Sequence, residues 1–200
     1  MTETMNDAVL TVDLDATDLT WVEHHIAGAD EPARIALLRA DADRGTRTVM
    51  VRFPDGWTRA AVGNQPAGEE MVVLEGELRL SGLVGDATRM LVVEPKATRS
   101  ATSTADGTRA VVWFSGAGGG WEDGEADDAG AITGLELADG ATRSARPGLV
   151  GTVEVLAGAA GRVFEVDVDV LWPDARQWAF VPAGTAAPAV EGLAIIHTWA

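Results

Sequence analysis

The sequence predicts an all-β fold made of two unequal β units. Short apolar segments rich in β-branched residues recur along the chain between turn-forming residues, a spacing that favours an antiparallel sandwich or barrel. A stretch rich in glycine and acidic residues divides the chain into a longer and a shorter part. With 200 residues, the chain is long enough to bury a substantial core.

The first predicted strand lies within residues 31–45. The composition of this segment also suits a short helix, but "RIALLRA" fits a strand that ends at the turn "DADRG", and we predict the strand. The later strands are predicted on both sides of the dividing stretch, at 47–53, 70–82, 89–95, 108–116, 151–158, 161–172, 178–184 and 192–200.

The dividing stretch is "GAGGGWEDGEADDAGAITG" (116–134), whose glycines and acids are poor core-formers and are typical of a linker or an exposed loop. Residues 179–199 repeat features of residues 92–114: a proline, a turn of small residues, an acid–glycine turn and an apolar strand that ends in tryptophan. A shortened copy of the first unit is therefore expected. The predicted division is a first β unit over 10–118, a linker over 119–131 and a shortened β unit over 132–200.

The formal net charge of −16 argues against nucleic acids and anionic membranes as partners, because both would be repelled. We expect small molecules or basic proteins instead. Lys96 stands beside fourteen arginines in a chain rich in Ala, Gly and Asp, which indicates GC-rich coding and a bacterial source. The absence of cysteine excludes disulfides and thiolate chemistry.

The N-terminal segment 1–19 is acidic and has neither the basic nor the apolar region of a secretory leader. No apolar run approaches the ~18 residues that a membrane span needs. We therefore expect a soluble, cytoplasmic protein.

Three segments carry a resemblance to a known family: "VRFPDGW" (51–57), "AGEEMVVLEGEL" (67–78) and "VVEPKATRS" (92–100). In this order and spacing, they resemble the cupin superfamily, and most of all its single-domain and anti-sigma-type members. The resemblance covers residues 47–114. It implies a cupin-type β-barrel, or jelly roll, that opens on one metal ion held by three histidines and a glutamate.

The resemblance places the four metal-ligand positions of the family at Val62, Asn64, Glu69 and Ser100. Three histidines would thus be replaced by residues that bind transition metals poorly, because affinity in such a pocket comes mainly from imidazole nitrogens. A hard cation prefers six or more oxygen ligands, which this set does not supply. We therefore expect neither a metal nor another cofactor.

Strand alternation is expected to turn Asn64, Glu69 and Ser100 into the barrel lumen, together with Val62 and Met71. A carboxylate among apolar walls holds its proton more tightly, which suits a general acid or base. Glu69 is therefore the candidate catalytic residue, with Asn64 or Ser100 orienting a substrate.

A structural role for Glu69 is the alternative: the carboxylate would accept hydrogen bonds from the loop backbone or pair with an inward arginine, Arg52 or Arg59. Arg52 and Trp57 are also candidate ligand-binding residues. Trp57 follows the first glycine of the motif, where its ring would either stack on a flat ligand or pack at the barrel rim.

His24 and His25 are adjacent, so in a strand they face opposite sides and cannot chelate one metal together. Either could reach the barrel mouth, although an exposed position is the more common outcome for a surface histidine. His197 is expected to be half-buried and hydrogen-bonded. Three tryptophans that end strands are expected in the core or between the two units: Trp113, Trp178 and Trp199.

These expectations favour a metal-free, cupin-like protein that binds a small organic molecule in the barrel lumen. One alternative is a metal-independent isomerase, cyclase or lyase that uses Glu69 as acid or base. The other is a metal-dependent dioxygenase, as many intact cupins are. Whether the chain is an enzyme stays open. A homodimer is expected, because a truncated β unit leaves sheet edges that need cover.

Overall fold

The structure is a computed structural model, and it describes residues 8–200 of the chain. The described residues form strands, turns and loops without a helix, so the all-β prediction is confirmed. They accordingly include no helix that is long and apolar enough to cross a membrane. The acidic residues 1–7, which contributed to the prediction of a soluble protein, lie outside the described residues.

Strands formed by the described residues are numbered here in chain order. The first ten are β1 (Leu10–Asp13), β2 (Val22–His24), β3 (Ala33–Asp41), β4 (Thr46–Arg52), β5 (Thr58–Arg59), β6 (Gly63–Asn64), β7 (Gly68–Glu75), β8 (Leu78–Leu80), β9 (Leu83–Gly85) and β10 (Arg89–Val93). The others are β11 (Thr102–Thr104), β12 (Arg109–Ser115), β13 (Glu122–Asp123), β14 (Ile132–Glu136), β15 (Thr142–Arg143), β16 (Val153–Leu156), β17 (Val168–Trp172), β18 (Gln177–Val181) and β19 (Ala194–Thr198).

A seven-stranded antiparallel sheet lies at the centre of the molecule, with the strand order β14-β10-β7-β12-β4-β3-β2. Its central strands are nearly continuous apolar runs. Because side chains of successive residues point to opposite sides, these runs are apolar on both faces. Along β7, Met71 and Val73 belong to one buried cluster, whereas Val72 and Leu74 belong to another. The sheet therefore separates two cores.

One face of this sheet packs against a four-stranded sheet of order β5-β11-β8-β9, and the two sheets enclose the first core. The other face packs against a six-stranded sheet of order β1-β18-β17-β19-β16-β15. The outer face of the six-stranded sheet carries a third, smaller core, in which Phe164, Trp172 and Val181 meet. The order of layers thus places a barrel beside a shorter β unit.

The strands next to the predicted boundaries cross between the two units. β1 precedes the first unit's other strands in the chain but pairs with β18, Leu10 opposite Phe180. β14 follows the predicted linker 119–131 but pairs with β10, Leu91 opposite Gly134. The two units therefore exchange strands as well as packing face to face.

Most of the predicted strands are present at or near their expected positions, including the strand at 31–45, which the structure has as β3. The predicted strand 70–82 is divided at Gly76, where φ is 74° and an added Cβ would lie 2.3 Å from Thr108 Oγ1. Only Val168–Trp172 of the predicted strand 161–172 is a strand. The predicted linker 119–131 is partly structured, because β13 pairs with β6.

Buried charges join the seven-stranded and six-stranded sheets. Glu70 on β7 accepts two hydrogen bonds from Arg143 on β15, from Nε at 2.8 Å and from Nη2 at 2.7 Å. His197 on β19 places Nε2 2.8 Å from the same carboxylate. Burial opposes the charged form, but His197 and Arg143 outweigh it and hold the pKa of Glu70 below its ordinary value.

A second buried carboxylate, Asp169 on β17, gathers indole N–H donors from both sheets. Trp113, Trp178 and Trp199 donate to it at 2.9, 3.1 and 2.9 Å, and the Thr48 hydroxyl donates at 2.5 Å. Burial raises the pKa of Asp169 despite these donors. The expected location of the three tryptophans, in the core or between the units, is confirmed.

We predict that Glu70→Gln lowers the free energy of unfolding by about 3 kcal/mol or more, because it leaves the Arg143 charge buried without its partner. Urea unfolding monitored by circular dichroism at neutral pH measures this. The lowered pKa makes the contribution of Glu70 present above about its ordinary value of 4.5 and lost as the pH falls through the folded-state pKa. The difference between the two proteins should therefore narrow in acid.

Glu136→Gln is the matched control, because this glutamate is exposed and makes only a long ion pair of 3.7 Å with Arg89. It should change the stability by less than about 0.5 kcal/mol. The raised pKa of Asp169 gives the opposite pH dependence of stability, because it stabilises the folded chain at low pH and not at high pH. This contribution is the same in all three proteins. Equal stabilities of Glu70→Gln and wild type at neutral pH would contradict the prediction.

Candidate functional site

A cavity of about 430 Å³ lies between the seven-stranded and the four-stranded sheets. Its walls are mostly apolar. Side chains alternate between the two faces of each strand, and those that point into the cavity are mostly apolar. On β4, for example, Val49 and Val51 face the cavity, whereas Met50 between them faces the six-stranded sheet. The other apolar wall residues on or beside the strands are Ile26, Ala27, Ile35, Phe53, Trp57, Met71, Leu78, Leu80, Val112 and Phe114.

The glycine loop, residues 116–121, lines one side of the cavity with Gly118, Gly119, Gly120 and Trp121. Its glycines allow a close approach: an added Cβ on Gly118 would lie 2.8 Å from Arg47 Nη2. Trp121 packs on Gly63, where an added Cβ would lie 2.3 Å from the indole ring. A segment that the sequence predicts to be partly linker thus contributes a wall of the cavity.

Glu69 is the second residue of β7 and lines the cavity. Its carboxylate accepts a short hydrogen bond from the Gln65 side chain and lies 3.6 Å from Arg99 Nη2. Arg99 is fully buried and also donates to Ala97 O at 3.0 Å. The arginine that pairs with Glu69 is therefore Arg99, and neither Arg52 nor Arg59 forms an ion pair with it.

Two further arginines line the cavity. The Arg59 guanidinium lies 4.9 Å from the centre of the Trp121 ring and donates from Nη2 to Thr102 Oγ1 at 3.3 Å. Burial lowers the pKa of Arg59 to about 10, with Glu69 opposing and Arg99 adding to the shift, so the group is charged at neutral pH. Arg47 stacks 4.0 Å from the Phe114 ring centre, and burial lowers its pKa too.

Two of the other predicted ligand-binding residues also line the cavity. Met71 is buried on β7, and Trp57 is buried with its indole N–H donating to Glu31 O at 2.9 Å. The Trp57 ring lies 4.9 Å from that of Phe53, which fixes its orientation. His24 and His25, for which the sequence left the location open, are exposed residues at the edge of the cavity.

Four predicted site residues lie outside the cavity lining, which corrects their expected inward orientation. Val62 is 48% exposed. Asn64 is buried, but its amide donates to Gly124 O at 3.2 Å and so faces the loop after β13. Ser100 lies beside Ser81, whose hydroxyl accepts from its backbone N–H at 2.9 Å. Arg52 faces the opposite side of β4 and lies over the Trp21 ring.

The residues of the cavity do not fit a transition metal held in the manner of the family that the sequence resembles. Of the four positions that the resemblance assigns, only Glu69 lines the cavity. Its carboxylate is engaged by Arg99 and Gln65, and the other nearby charges are cations that repel a metal ion. Within residues 8–200, no group of three or more His, Asp or Glu side chains is arranged to hold a metal.

A central sheet with a barrel cavity on one face and a second antiparallel sheet on the other defines a protein of the cupin fold. Within that fold the chain belongs to the family described as "Domain of unknown function (DUF4437)", whose model matches residues 4–114. The cupin resemblance of residues 47–114 lies inside this matched region. No curated protein matches the chain.

Solved structures from three bacteria share the fold. A Nostoc punctiforme protein provisionally described as a dioxygenase has a TM-score of 0.71 and 12% identity, over 96% of this chain and 83% of that one. Escherichia coli YlbA, of family DUF861, has a TM-score of 0.60 and 10% identity, over 96% and 90%. A DUF861 protein of unknown function from Pseudomonas syringae pv. tomato has 0.50 and 15%, over 96% and 98%.

We predict that the protein purified without chelators holds much less than one Fe, Mn, Ni or Zn per chain. The reason is the donor set: the cavity offers one carboxylate engaged by an arginine, and His24 and His25 at its edge do not form a group of three ligands with it. Elemental analysis by inductively coupled plasma mass spectrometry measures the content. One tightly held transition metal per chain that survives dialysis would show that the donor argument is incorrect.

Proposed function

We propose that the protein binds a small organic molecule in the barrel cavity, without a transition metal at the cupin ligand positions. The observation that carries this proposal is a cavity of about 430 Å³ with apolar walls and a few polar groups converging on it. Pockets with this size and composition are typical of sites for small organic ligands. An apolar ligand body would gain about 25 cal/mol for each Å² that leaves water.

Aromatic rings at the cavity support a ligand with a flat or cyclic part. Phe53 and Trp57 pack together on one wall, and Trp121 lies on the glycine loop. The hydrogen bond of Trp57 to Glu31 keeps its polar atom satisfied, so the apolar ring surface is what a ligand would contact. These rings are held by protein contacts and would lose little conformational freedom on binding.

A metal-independent reaction in the same cavity is the second candidate function, and the position of Glu69 favours it. Glu69 is the carboxylate residue of the cavity lining, and it lies next to apolar walls. Arg99 and Gln65 hold its side chain in place, as a general acid or base requires. The dioxygenase alternative has less support, because it would need the metal ligands that the cavity does not supply.

We predict that Val49→Trp weakens ligand binding at least tenfold by filling the cavity. Val49 is 3% exposed and lies on a cavity wall, so the larger side chain must occupy the ligand volume. A screen of small aromatic and alicyclic compounds by thermal shift identifies binders of the wild type, and titration calorimetry should then show at least a tenfold loss, about 1.4 kcal/mol.

Val22→Trp is the control for this variant, because Val22 is 57% exposed on the edge strand β2. Val112→Phe fills the cavity less and serves if Val49→Trp does not fold. Binding that persists unchanged in a folded cavity-filled variant would place the ligand elsewhere. A wild type that no compound stabilises would argue against the binding function itself.

For the catalytic candidate, we predict that Glu69→Gln reduces turnover of an identified substrate by at least about a hundredfold, because glutamine cannot take up or release the proton. Steady-state kinetics and the pH profile of kcat/KM measure this. Glu77→Gln is a control outside the cavity lining, with an ion pair to the exposed Arg79. Unchanged turnover in Glu69→Gln would reduce Glu69 to a structural role.

A further inference from the structure

We propose that the ligand of the cavity is a small organic carboxylate, bound through its carboxylate group by Arg59. This inference rests on the proposed binding function and adds the chemical class of the ligand. It starts from Arg59, a charged group at an apolar cavity whose surroundings leave its hydrogen-bonding capacity largely unused.

Arg59 is 6% exposed, and its Nε has no hydrogen-bond partner among the described residues. The hydrogen bond that its guanidinium makes, to Thr102, is long at 3.3 Å. It takes part in none of the ion pairs formed within residues 8–200. A buried charge that lacks a close ion-pair partner and leaves a donor unused destabilises the folded chain, and such groups concentrate at binding sites.

The charged side chains around the cavity are mostly positive, like Arg59 itself. Arg47 and Arg59 line it, and Arg99 lies buried beside it, whereas Glu69 is the single carboxylate residue of the lining. The carboxylate of Glu69 contacts Arg99 and Gln65, and it acts on Arg47 and Arg59 only at longer range, without a close ion pair to either. The cavity is therefore locally positive in a chain whose formal net charge is −16.

A carboxylate is the anion that fits this surrounding best. The planar guanidinium presents pairs of N–H donors that match the two oxygens of a carboxylate. The Trp121 ring faces the Arg59 guanidinium at 4.9 Å and the Thr102 hydroxyl holds one of its nitrogens, so the group is oriented in advance. Nearby walls formed by Val49, Met71 and Leu80 would cover an apolar body of the same molecule.

The test compares acids with neutral analogues of the same shape: benzoate against benzamide, cyclohexanecarboxylate against its amide, and hexanoate against hexanamide. Binding of the full chain is measured by titration calorimetry and thermal shift up to millimolar concentrations, with sodium chloride added to equalise ionic strength. At least one acid should bind at least tenfold more tightly than its amide, as a charge-assisted hydrogen bond predicts.

Arg59→Met should remove this preference by weakening the acid at least tenfold while leaving the amide within about twofold. Arg59→Lys keeps the charge but loses the paired donors, so it should fall between the two. Arg162→Met is the matched control, because Arg162 also lies over an aromatic ring, that of Phe164 at 5.3 Å, but outside the cavity lining. It should bind like the wild type.

The outcomes separate this inference from the proposed function. Acids and amides that bind equally well, with Arg59→Met unchanged, would overturn the carboxylate assignment and leave the binding function supported. If neither series binds and no neutral compound of the wider screen binds, both are overturned. Should Arg59→Met fail to fold, the comparison of acids with amides on the wild type and on Arg59→Lys still decides the question.

Discussion

The buried carboxylate of Glu70 is the contact on which the arrangement of the two large sheets depends. It lies on the central sheet, and its partners Arg143 and His197 both lie on the six-stranded sheet. An unpaired charge in this interior would cost several kcal/mol, so the sheets can dock only where all three groups meet. Asp169 adds a second requirement of the same kind, because its indole donors also come from both sheets. Apolar packing brings the sheets together, and these polar contacts select one register.

This constraint reaches the cavity through strand alternation. Glu69 and Glu70 are neighbours on β7, and their side chains point to opposite faces of the central sheet. Fixing Glu70 against the six-stranded sheet therefore directs Glu69 into the barrel. The same alternation on β4 turns Thr48 towards Asp169 and both Arg47 and Val49 towards the cavity. One face of the central sheet thus packs against the six-stranded sheet and holds the two units together, and the other face lines the cavity.

Local patterns predict the inner strands of the central sheet, β4, β7, β10 and β12, because each is buried on two faces and reads as a nearly continuous apolar run. They do not predict β2 and β14, which are exposed or only partly buried. The all-β class and the burial of the tryptophans follow from the same signal.

The Glu70 cluster could not be predicted, since its partners lie 73 and 127 residues away in the chain. Strand alternation predicts inward side chains for Asn64 and Ser100, but Asn64 lies in the two-residue strand β6 and bonds to the loop after β13, and Ser100 bonds to Ser81 outside a strand. Strict alternation of side chains along β4 predicts that Arg47 points into the cavity and Arg52 points to the opposite face, as the structure has them. The composition of residues 116–134 predicts a linker or an exposed loop, because composition alone does not distinguish mobility from close packing against distant residues such as Arg47 and Pro66.

The electrostatics of the chain impose a condition on any anionic ligand of the cavity. The acidic chain as a whole repels an approaching carboxylate, but at physiological ionic strength that repulsion is screened beyond about 8 Å. Inside the cavity, solvent is displaced and the screening is weaker, so the two lining arginines act at short range and in a medium of lower dielectric constant. Attraction is therefore confined to a molecule that has already entered and whose shape fits the apolar walls. An anion too large for about 430 Å³ meets the repulsion without the compensating contact, so the charge of the surface and the volume of the cavity exclude the same competitors.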